Sequence, residues 1–319
     1  MSSGIAIIHE NAARIADEME ARAALLGLEV SRLGNGARLV DAGVRAPGSI
    51  EAGRLFAEAC LGGLGRVNIT SRPLGPATIL EARVAVDRPL LACLGSQYAG
   101  WRVKTPGFFA MGSGPARALA AIEPLFAKLP LASRASRSVL LLETSTLPGE
   151  DVAHLIATRC GLAPDAVTLV AAATSSLAGA TQIAARSVET ALHKLLELGF
   201  DLETIVSGAG DAPIAPGHPD PLQAIGRTND AVLYGASVSL WVRAEDAAVD
   251  AVLRRVPSSS SRDHGRLFHD LFREHGDFYK IDPMLFSPAR VTFLNERTGR
   301  VSSAGTPDEG MLRRSFGIA

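Results

Sequence analysis

Apolar residues recur at helical spacing near the start of the chain: Ala12, Ile15, Ala16, Met19, Ala23 and Leu26 share a face, and Gly27 offers a stop. Leu28–Leu33 and Ala37–Ala42 flank Gly34-Asn35-Gly36, and because Asn and Gly tolerate positive φ this predicts a hairpin. Ser49 is placed to cap a helix running to about Leu61. Strands are predicted at Gly65–Ser71, Thr78–Ala85 and, as a short buried one, Leu90–Leu94. A helix is predicted over Pro115–Phe126. Lys128–Ser138 is rich in turn residues and charge and reads as a domain boundary.

Beyond it the pattern predicts a strand at Val139–Glu143, a helix at Pro148–Cys160 stopped by Gly161, and a strand at Val167–Ala173. Thr181–Leu198 has the strongest helical pattern in the chain. Then come a strand at Glu203–Ser207, a helix at Asp220–Tyr234, a half-exposed strand at Ala236–Ala244, two helices (Glu245–Val256 and Arg262–His275) and a closing hairpin around Asn295–Gly299. Strands outside strict βαβ alternation favour an α+β class, with two α/β-type domains, 1–130 and 138–319, and a pocket between them. Leu91–Gly100 and Val170–Gly179 share an apolar run followed by small polar residues and Ala-Gly, a weak echo of a duplicated unit.

Composition mainly excludes. The 319 residues hold 32 Lys+Arg against 33 Asp+Glu, so no positive excess exists to release counterions from a phosphate backbone, and nucleic acid is not expected as a partner. Three widely spaced cysteines form no CxxC and suit a reducing compartment. The first residues carry Glu10, Asp17 and Glu18 rather than a basic-then-apolar leader, and no apolar run approaches membrane-spanning length, so a cytoplasmic protein is expected. His264, His269 and His275 sit at spacings that put their rings on different helix faces, and there is no HExxH or GxSxG, so neither a metal centre nor a serine triad is expected.

Two features hold chemistry. Gln182, Arg186, Glu189 and His193 form a polar row on the Thr181–Leu198 helix, with the Arg and Glu one turn apart. As an exposed ion pair they would contribute only about 0.3–0.5 kcal/mol. The row follows the small polar stretch Thr174-Ser175-Ser176, which permits close approach to the backbone. Gly112–Arg117 opens a predicted helix with two glycines and a hydroxyl, so its N–H groups are placed either for an anion or for an ordinary cap.

Ser96-Gln97-Tyr98-Ala99-Gly100-Trp101, Gly112-Ser113-Gly114-Pro115-Ala116-Arg117, Arg227-Thr228-Asn229-Asp230 and Phe278-Tyr279-Lys280-Ile281-Asp282-Pro283 occur in that order, followed by Leu285-Phe286-Ser287-Pro288-Ala289 and Arg313-Arg314-Ser315-Phe316-Gly317. Together these motifs resemble the methenyltetrahydromethanopterin cyclohydrolases of methanogens and methylotrophic bacteria, over about residues 3–317. The resemblance implies reversible hydrolysis of 5,10-methenyltetrahydromethanopterin to the 5-formyl compound in one-carbon metabolism. It also implies a homotrimer and no cofactor beyond the pterin, which is the substrate carrier.

Family members use an Arg and a Glu three residues apart on a helix, which match Arg186 and Glu189. Glu189 is then the expected base toward water, with Arg186 orienting it and favouring its charged form while partial burial opposes that. Gln97, Asn229 and Asp230 become candidates for the pterin edge, Tyr98 or Trp101 for stacking, and Ser113 for a polar tail. Some relatives carry a Lys where this chain has Tyr98; Arg102 and Lys104 are nearby cations. The many Arg and few Lys hint at a GC-rich bacterium and a dephospho pterin. The alternatives are a related cyclic-amidine hydrolase and a non-catalytic pterin-binding scaffold.

Overall fold

The computed structural model describes residues 2–129, 131–276 and 280–319, so Phe278 and Tyr279 of the resemblance motif lie outside the described residues. Two mixed six-stranded sheets with their helices give an α+β fold of two α/β-type units. The first unit is Met1–Arg66 with Leu91–Gln182, and the second is Val67–Leu90 with Ile183–Ala319. The chain thus passes between units three times, and the turn-rich stretch 128–138 falls inside the first. Its charge and small polar residues suit a surface connection.

In the first unit the strand order is β1 (Glu29–Arg32), β2 (Arg38–Asp41), β8 (Val167–Ala172), β7 (Ser138–Glu143), β6 (Phe108–Ser113) and β5 (Trp101–Thr105). The β2/β8 and β8/β7 pairs are parallel, and the outer pairs are antiparallel. Both faces are covered, which explains why Val139–Leu142 and Val167–Ala172 are buried at every position. On one face Val139, Leu141, Val170 and Ala172 meet Ala12, Ala16 and Met19 of α1 (Ser2–Ala21) and Leu55, Phe56 and Ala59 of α3 (Ile50–Cys60). On the other, Leu140, Leu142, Leu169 and Ala171 meet Val152, Ala153 and Ile156 of α6 (Glu150–Cys160).

Local signals placed several elements well. Ser49 Oγ accepts the Ala52 N–H at 3.0 Å, capping α3. Gly27, at φ +67°, ends the short α2 (Ala23–Leu26), and Gly161, at φ +65°, ends α6. His9 on α1 joins Ser138 Oγ (2.8 Å) and Ser133 Oγ (2.6 Å), and burial holds its imidazole down at about 4, so it is neutral.

The Leu90–Leu94 strand is not formed. Leu90–Gln97 is a π-helical segment buried from Leu91 to Gln97, and a short apolar run cannot tell a buried helix from a buried strand. Its counterpart Val170–Gly179 instead contains the end of β8, so the sequence echo is not a structural repeat. The Pro115–Phe126 helix is also interrupted. Ala121 takes φ +46°, separating α4 (Ala116–Ala120) from α5 (Pro124–Lys128).

The second unit orders β12 (Val301–Gly305), β11 (Arg290–Asn295), β10 (Ser237–Val242), β9 (Ile205–Pro213), β4 (Ala77–Val86) and β3 (Gly65–Leu74). β10 and β11 are parallel. The β12/β11, β10/β9 and β9/β4 pairs are antiparallel. Here burial alternates: Val238, Leu240 and Val242, with Val291 and Phe293, are buried, while Ser239, Trp241, Thr292 and Leu294 are half-buried. A second core gathers Tyr234 of α9 (Pro221–Gly235), Phe268 and Leu271 of α11 (Phe268–His275), and Leu312 and Phe316 of α12 (Glu309–Phe316). Helix α10 (Asp246–Leu253) packs on β11 and β12.

Candidate active site

The predicted Thr181–Leu198 helix is two helices, α7 (Leu177–Ala184) and α8 (Ser187–Glu197). At the break Arg186 N–H bonds Ile183 O at 3.0 Å, an i→i−3 contact tighter than the α-helical ladder. Two glycines of β9 account for how closely α8 then lies on the sheet. A Cβ on Gly208 would meet Val188 Cγ1 at 2.8 Å, and one on Gly210 would meet Ser187 Oγ at 2.6 Å. Only residues without side chains allow that approach.

Arg186 occupies the position before α8 and Glu189 its first turn. Their side chains are 9% and 6% exposed, with Arg186 Nη1 3.4 Å from Glu189 Oε2. The exposed ion-pair reading is therefore wrong for this pair: both charges are buried, and in a low-dielectric setting they act on each other and on any bound charge more strongly than at a surface. A carboxylate in the first turn also meets the positive end of the helix dipole. The 3.4 Å separation is longer than the 2.7–2.9 Å of a well-formed charge-assisted bond, so the carboxylate is held near the guanidinium without being clamped by it.

Gln182, next on the row, donates from Nε2 to Glu143 Oε2 at 3.3 Å, and Thr174 Oγ1 donates to Glu143 Oε1 at 2.5 Å. Glu143 ends β7, so the small polar stretch after β8 and the start of the helical row converge on a carboxylate that periodicity did not single out. The only available signal was its place at a strand's C-terminal end, where α/β folds put functional groups. Ser176 in the same stretch closes a local turn, accepting the Gly179 N–H at 3.0 Å.

The two glycine-rich motifs meet in the first unit. Gly114 N–H bonds Ser96 O at 2.8 Å. Arg117, fully buried, donates from Nη1 to Ser96 O (3.0 Å) and Leu94 O (3.2 Å) and pairs with Glu123 through bonds of 2.8 and 2.7 Å. Its guanidinium also lies 5.2 Å from the Tyr98 ring centroid. Arg117 is the hub that sequence reading missed, because its partner is six residues away across the break at Ala121. The Gly112–Arg117 stretch leaves β6 at Ser113, which pairs with Leu141, and enters α4 with Pro115 at its N-cap, the ordinary helix start of the two readings.

Gln97, Ser113 and Trp101 are 1%, 2% and 3% exposed, and Tyr98 is half-buried. Trp101 packs among Val103, Phe108, Ala110 and Leu140, a core position. Arg102 and Lys104 lie on the exposed side of β5.

In the second unit Asn229 Nδ2 donates back to Ile225 O along α9 at 2.9 Å. Asp230 is wholly buried; its carboxylate accepts the Phe268 N–H (3.0 Å) and the Ser315 hydroxyl (2.7 Å), tying α9 to α11 and α12. Burial pushes its carboxyl up to about 7, with the two hydrogen bonds opposing. Asp230 and Ser315, far apart in the sequence motifs, are thus one structural tie. Among the described residues no group of three His, Cys, Asp or Glu is placed to hold a metal ion, and no helix is long and apolar enough to cross a membrane.

Residues 7–316 match the family model described as Cyclohydrolase (MCH). The chain belongs to this cyclohydrolase family. Among its relatives, the methenyltetrahydromethanopterin cyclohydrolase of Methylobacterium sp. (strain 4-46) is 49% identical over 309 residues, covering 95% of each chain. That of Xanthobacter autotrophicus is 50% identical over 92% of this chain and 87% of its own. The protein of the same name from Methanothermobacter thermautotrophicus is 41% identical over 98% of this chain and 99% of its own. The cyclohydrolase match spans both units, and so takes in the buried Arg186–Glu189 pair, the Arg117 hub and the Asp230–Ser315 tie alike.

Proposed function

We propose that this chain hydrolyses 5,10-methenyltetrahydromethanopterin reversibly to 5-formyltetrahydromethanopterin. The observation that carries the reading is a buried Arg–Glu pair, one turn apart, in a chain about half identical over nearly its full length to cyclohydrolases of that name. The methenyl carbon bridges two nitrogens as a cationic amidinium, an electrophile that needs no further polarisation. Glu189 accepts a proton from water as its oxygen bonds to that carbon, and a tetrahedral hydroxy intermediate forms. The carboxylic acid then returns the proton to the departing nitrogen, and one C–N bond breaks as the hydroxyl oxygen forms the formyl C=O and releases its own proton to solvent, leaving the 5-formyl product. Arg186 holds the Glu189 carboxylate in place for both transfers.

Gln97, Asn229 and Asp230 are the polar candidates for the pterin edge, Tyr98 and Trp101 for stacking, and Ser113 for the tail. Burial favours a structural share for Trp101 and Asp230. The same reading assigns the protein to one-carbon metabolism, formaldehyde oxidation in a methylotroph or its methanogenic counterpart. It makes the protein a cytoplasmic homotrimer without cofactor, acting on a dephospho pterin.

The test follows loss of methenyl-pterin absorbance with purified protein, with methenyltetrahydrofolate as comparison. Turnover of the methanopterin compound is expected. Turnover of the folate alone would replace the substrate, and turnover of neither would sink the enzymatic reading.

A further inference from the structure

Glu143 is a half-buried carboxylate at the C-terminal end of β7, and its capacity for hydrogen bonds is only partly used. A carboxylate can accept about four, two on each oxygen. Among the described residues Oε1 accepts one, from Thr174 Oγ1 (2.5 Å), and Oε2 one, from Gln182 Nε2 (3.3 Å). No ion pair of the described residues includes Glu143. Both donors are themselves fixed. A Cβ on Gly179 would stand 2.0 Å from the Ala173 carbonyl oxygen and 3.0 Å from Thr174 Cα, so α7 closes on this turn only because residue 179 is glycine. Gln182 is buried. The carboxylate is therefore held in place with an acceptor position left on each oxygen.

The surface beside it is apolar. Met111 is the cross-strand partner of Glu143, and Phe109, two residues earlier on β6, shares its side of the sheet. Diagonal neighbours of this kind lie about 7–8 Å apart, within reach of an aromatic ring. Thr144 Oγ1 donates to the Phe109 carbonyl at 3.0 Å, which ties the two strands at that point. The Phe109 side chain is nonetheless 53% exposed. Arg102, opposite Met111, and Lys104, opposite Phe109, already place positive charge on this side of the sheet. The open acceptors of Glu143 thus suit neutral N–H donors rather than a further cation.

A pterin presents such donors beside a flat ring. Its 2-amino-4-oxopyrimidine ring carries N3–H and the 2-amino group as neighbours pointing the same way, a match for the two oxygens of one carboxylate, and its ring face suits an aromatic side chain. Two of the other polar candidates are already engaged: Asp230 by the Phe268 N–H and Ser315, and Asn229 by the Ile225 carbonyl. We infer that Glu143 determines specificity for the pterin, accepting paired hydrogen bonds from N3–H and the 2-amino group, with Phe109 against the ring. The inference rests on the pterin reading above. Gln182, which braces Glu143, belongs in sequence to the row that continues to Arg186 and Glu189.

The test is calorimetric titration of the full chain with tetrahydromethanopterin and with an analogue carrying a methyl in place of the 2-amino group. The wild type should bind the analogue roughly 10- to 100-fold more weakly, the loss of one hydrogen bond to a charged acceptor. E143Q should bind the parent compound more weakly by a similar factor yet bind the analogue about as the wild type does, because an amide offers one acceptor and one donor. F109A should weaken both compounds alike. Equal binding of the two compounds by the wild type overturns the inference without recourse to any variant, and so does an analogue penalty that E143Q leaves intact. Unchanged binding by F109A would remove the ring contact. If the wild type binds neither compound, the pterin reading falls and this inference with it. Binding with the expected penalty but no turnover of the methenyl compound would remove the reaction and keep Glu143 as the pterin's anchor.

Discussion

Arg117 and Glu123 in the first unit meet through two short bonds, and the guanidinium turns its remaining donors to the Leu94 and Ser96 carbonyls. Arg186 and Glu189 in the second unit are as well buried yet approach at a single 3.4 Å contact. Both pairs carry the desolvation cost of buried charge. In the first, well-made geometry offsets that cost and locks a loop; in the second the cost is less fully recovered. The same two residue types are thus a strut in one place and, in the mechanism proposed above, the reacting pair in the other, and geometry separates them.

The largest expected effect is on turnover. Glu189→Gln should lower kcat by about 10²–10⁴ with the melting temperature little changed, measured by methenyl-pterin absorbance and thermal unfolding. Near-normal turnover with an intact fold would remove Glu189 from the chemistry.

Arg117→Met should do the reverse. It leaves Glu123 as an unpaired buried charge and should cost roughly 3–5 kcal/mol in denaturant unfolding, with loss of activity only as far as the fold is lost. If Arg117→Met folds normally and loses kcat, the contrast between strut and reacting pair is mistaken.

Asp230 offers a third case, a buried carboxylate with no cation paired to it among the described residues. Its carboxyl stands near 7 in the folded chain against an ordinary value of 3.8, so the native state binds the extra proton between those values. The stability this group contributes is fully present below about 3.8 and is lost as pH rises through about 7. In Asp230→Asn the amide keeps an acceptor for the Phe268 N–H and can donate to Ser315 Oγ. Relative to wild type, the variant should gain on the order of 2–4 kcal/mol between pH 4 and 7 in paired unfolding curves. A constant difference across that range would show that Asp230 stays ionised.

The smallest effect tests how α8 is seated. Gly208→Ala sets a Cβ against Val188 Cγ1 and should cost about 1–3 kcal/mol while lowering kcat more than it changes KM. An unchanged kcat would mean that the position of Glu189 tolerates movement of its helix.

Features carried by neighbouring residues are legible in the amino-acid order alone. The Ser49 cap, the Gly27 and Gly161 stops, the hairpin at Gly34–Gly36 and the one-turn spacing of Arg186 and Glu189 all depend on contacts within a few positions. What sequence reading misses depends on partners far away or on competing backbone states. The break before Ser187 goes with glycines on β9; the π-helical turns of Leu90–Gln97 share their hydrophobic signature with a buried strand; Glu143 finds Gln182 across 39 positions. Neither the burial of the Arg186–Glu189 pair nor the Arg117 hub has a local signature, which is why one was expected at the surface and the other overlooked.

The early β3–β4 hairpin has a consequence for synthesis. β4 finds its sheet partner in β9, and the Ser207 hydroxyl reaches the Val86 carbonyl across 121 positions. At ribosomal speeds of about 5–20 residues per second, β4 waits roughly 6–24 s with one edge unpaired. During that interval the nascent chain can complete most of the first unit's sheet while carrying an open strand. That edge is the point at which two growing chains would be most prone to join wrongly, and the place where a chaperone would have most reason to bind.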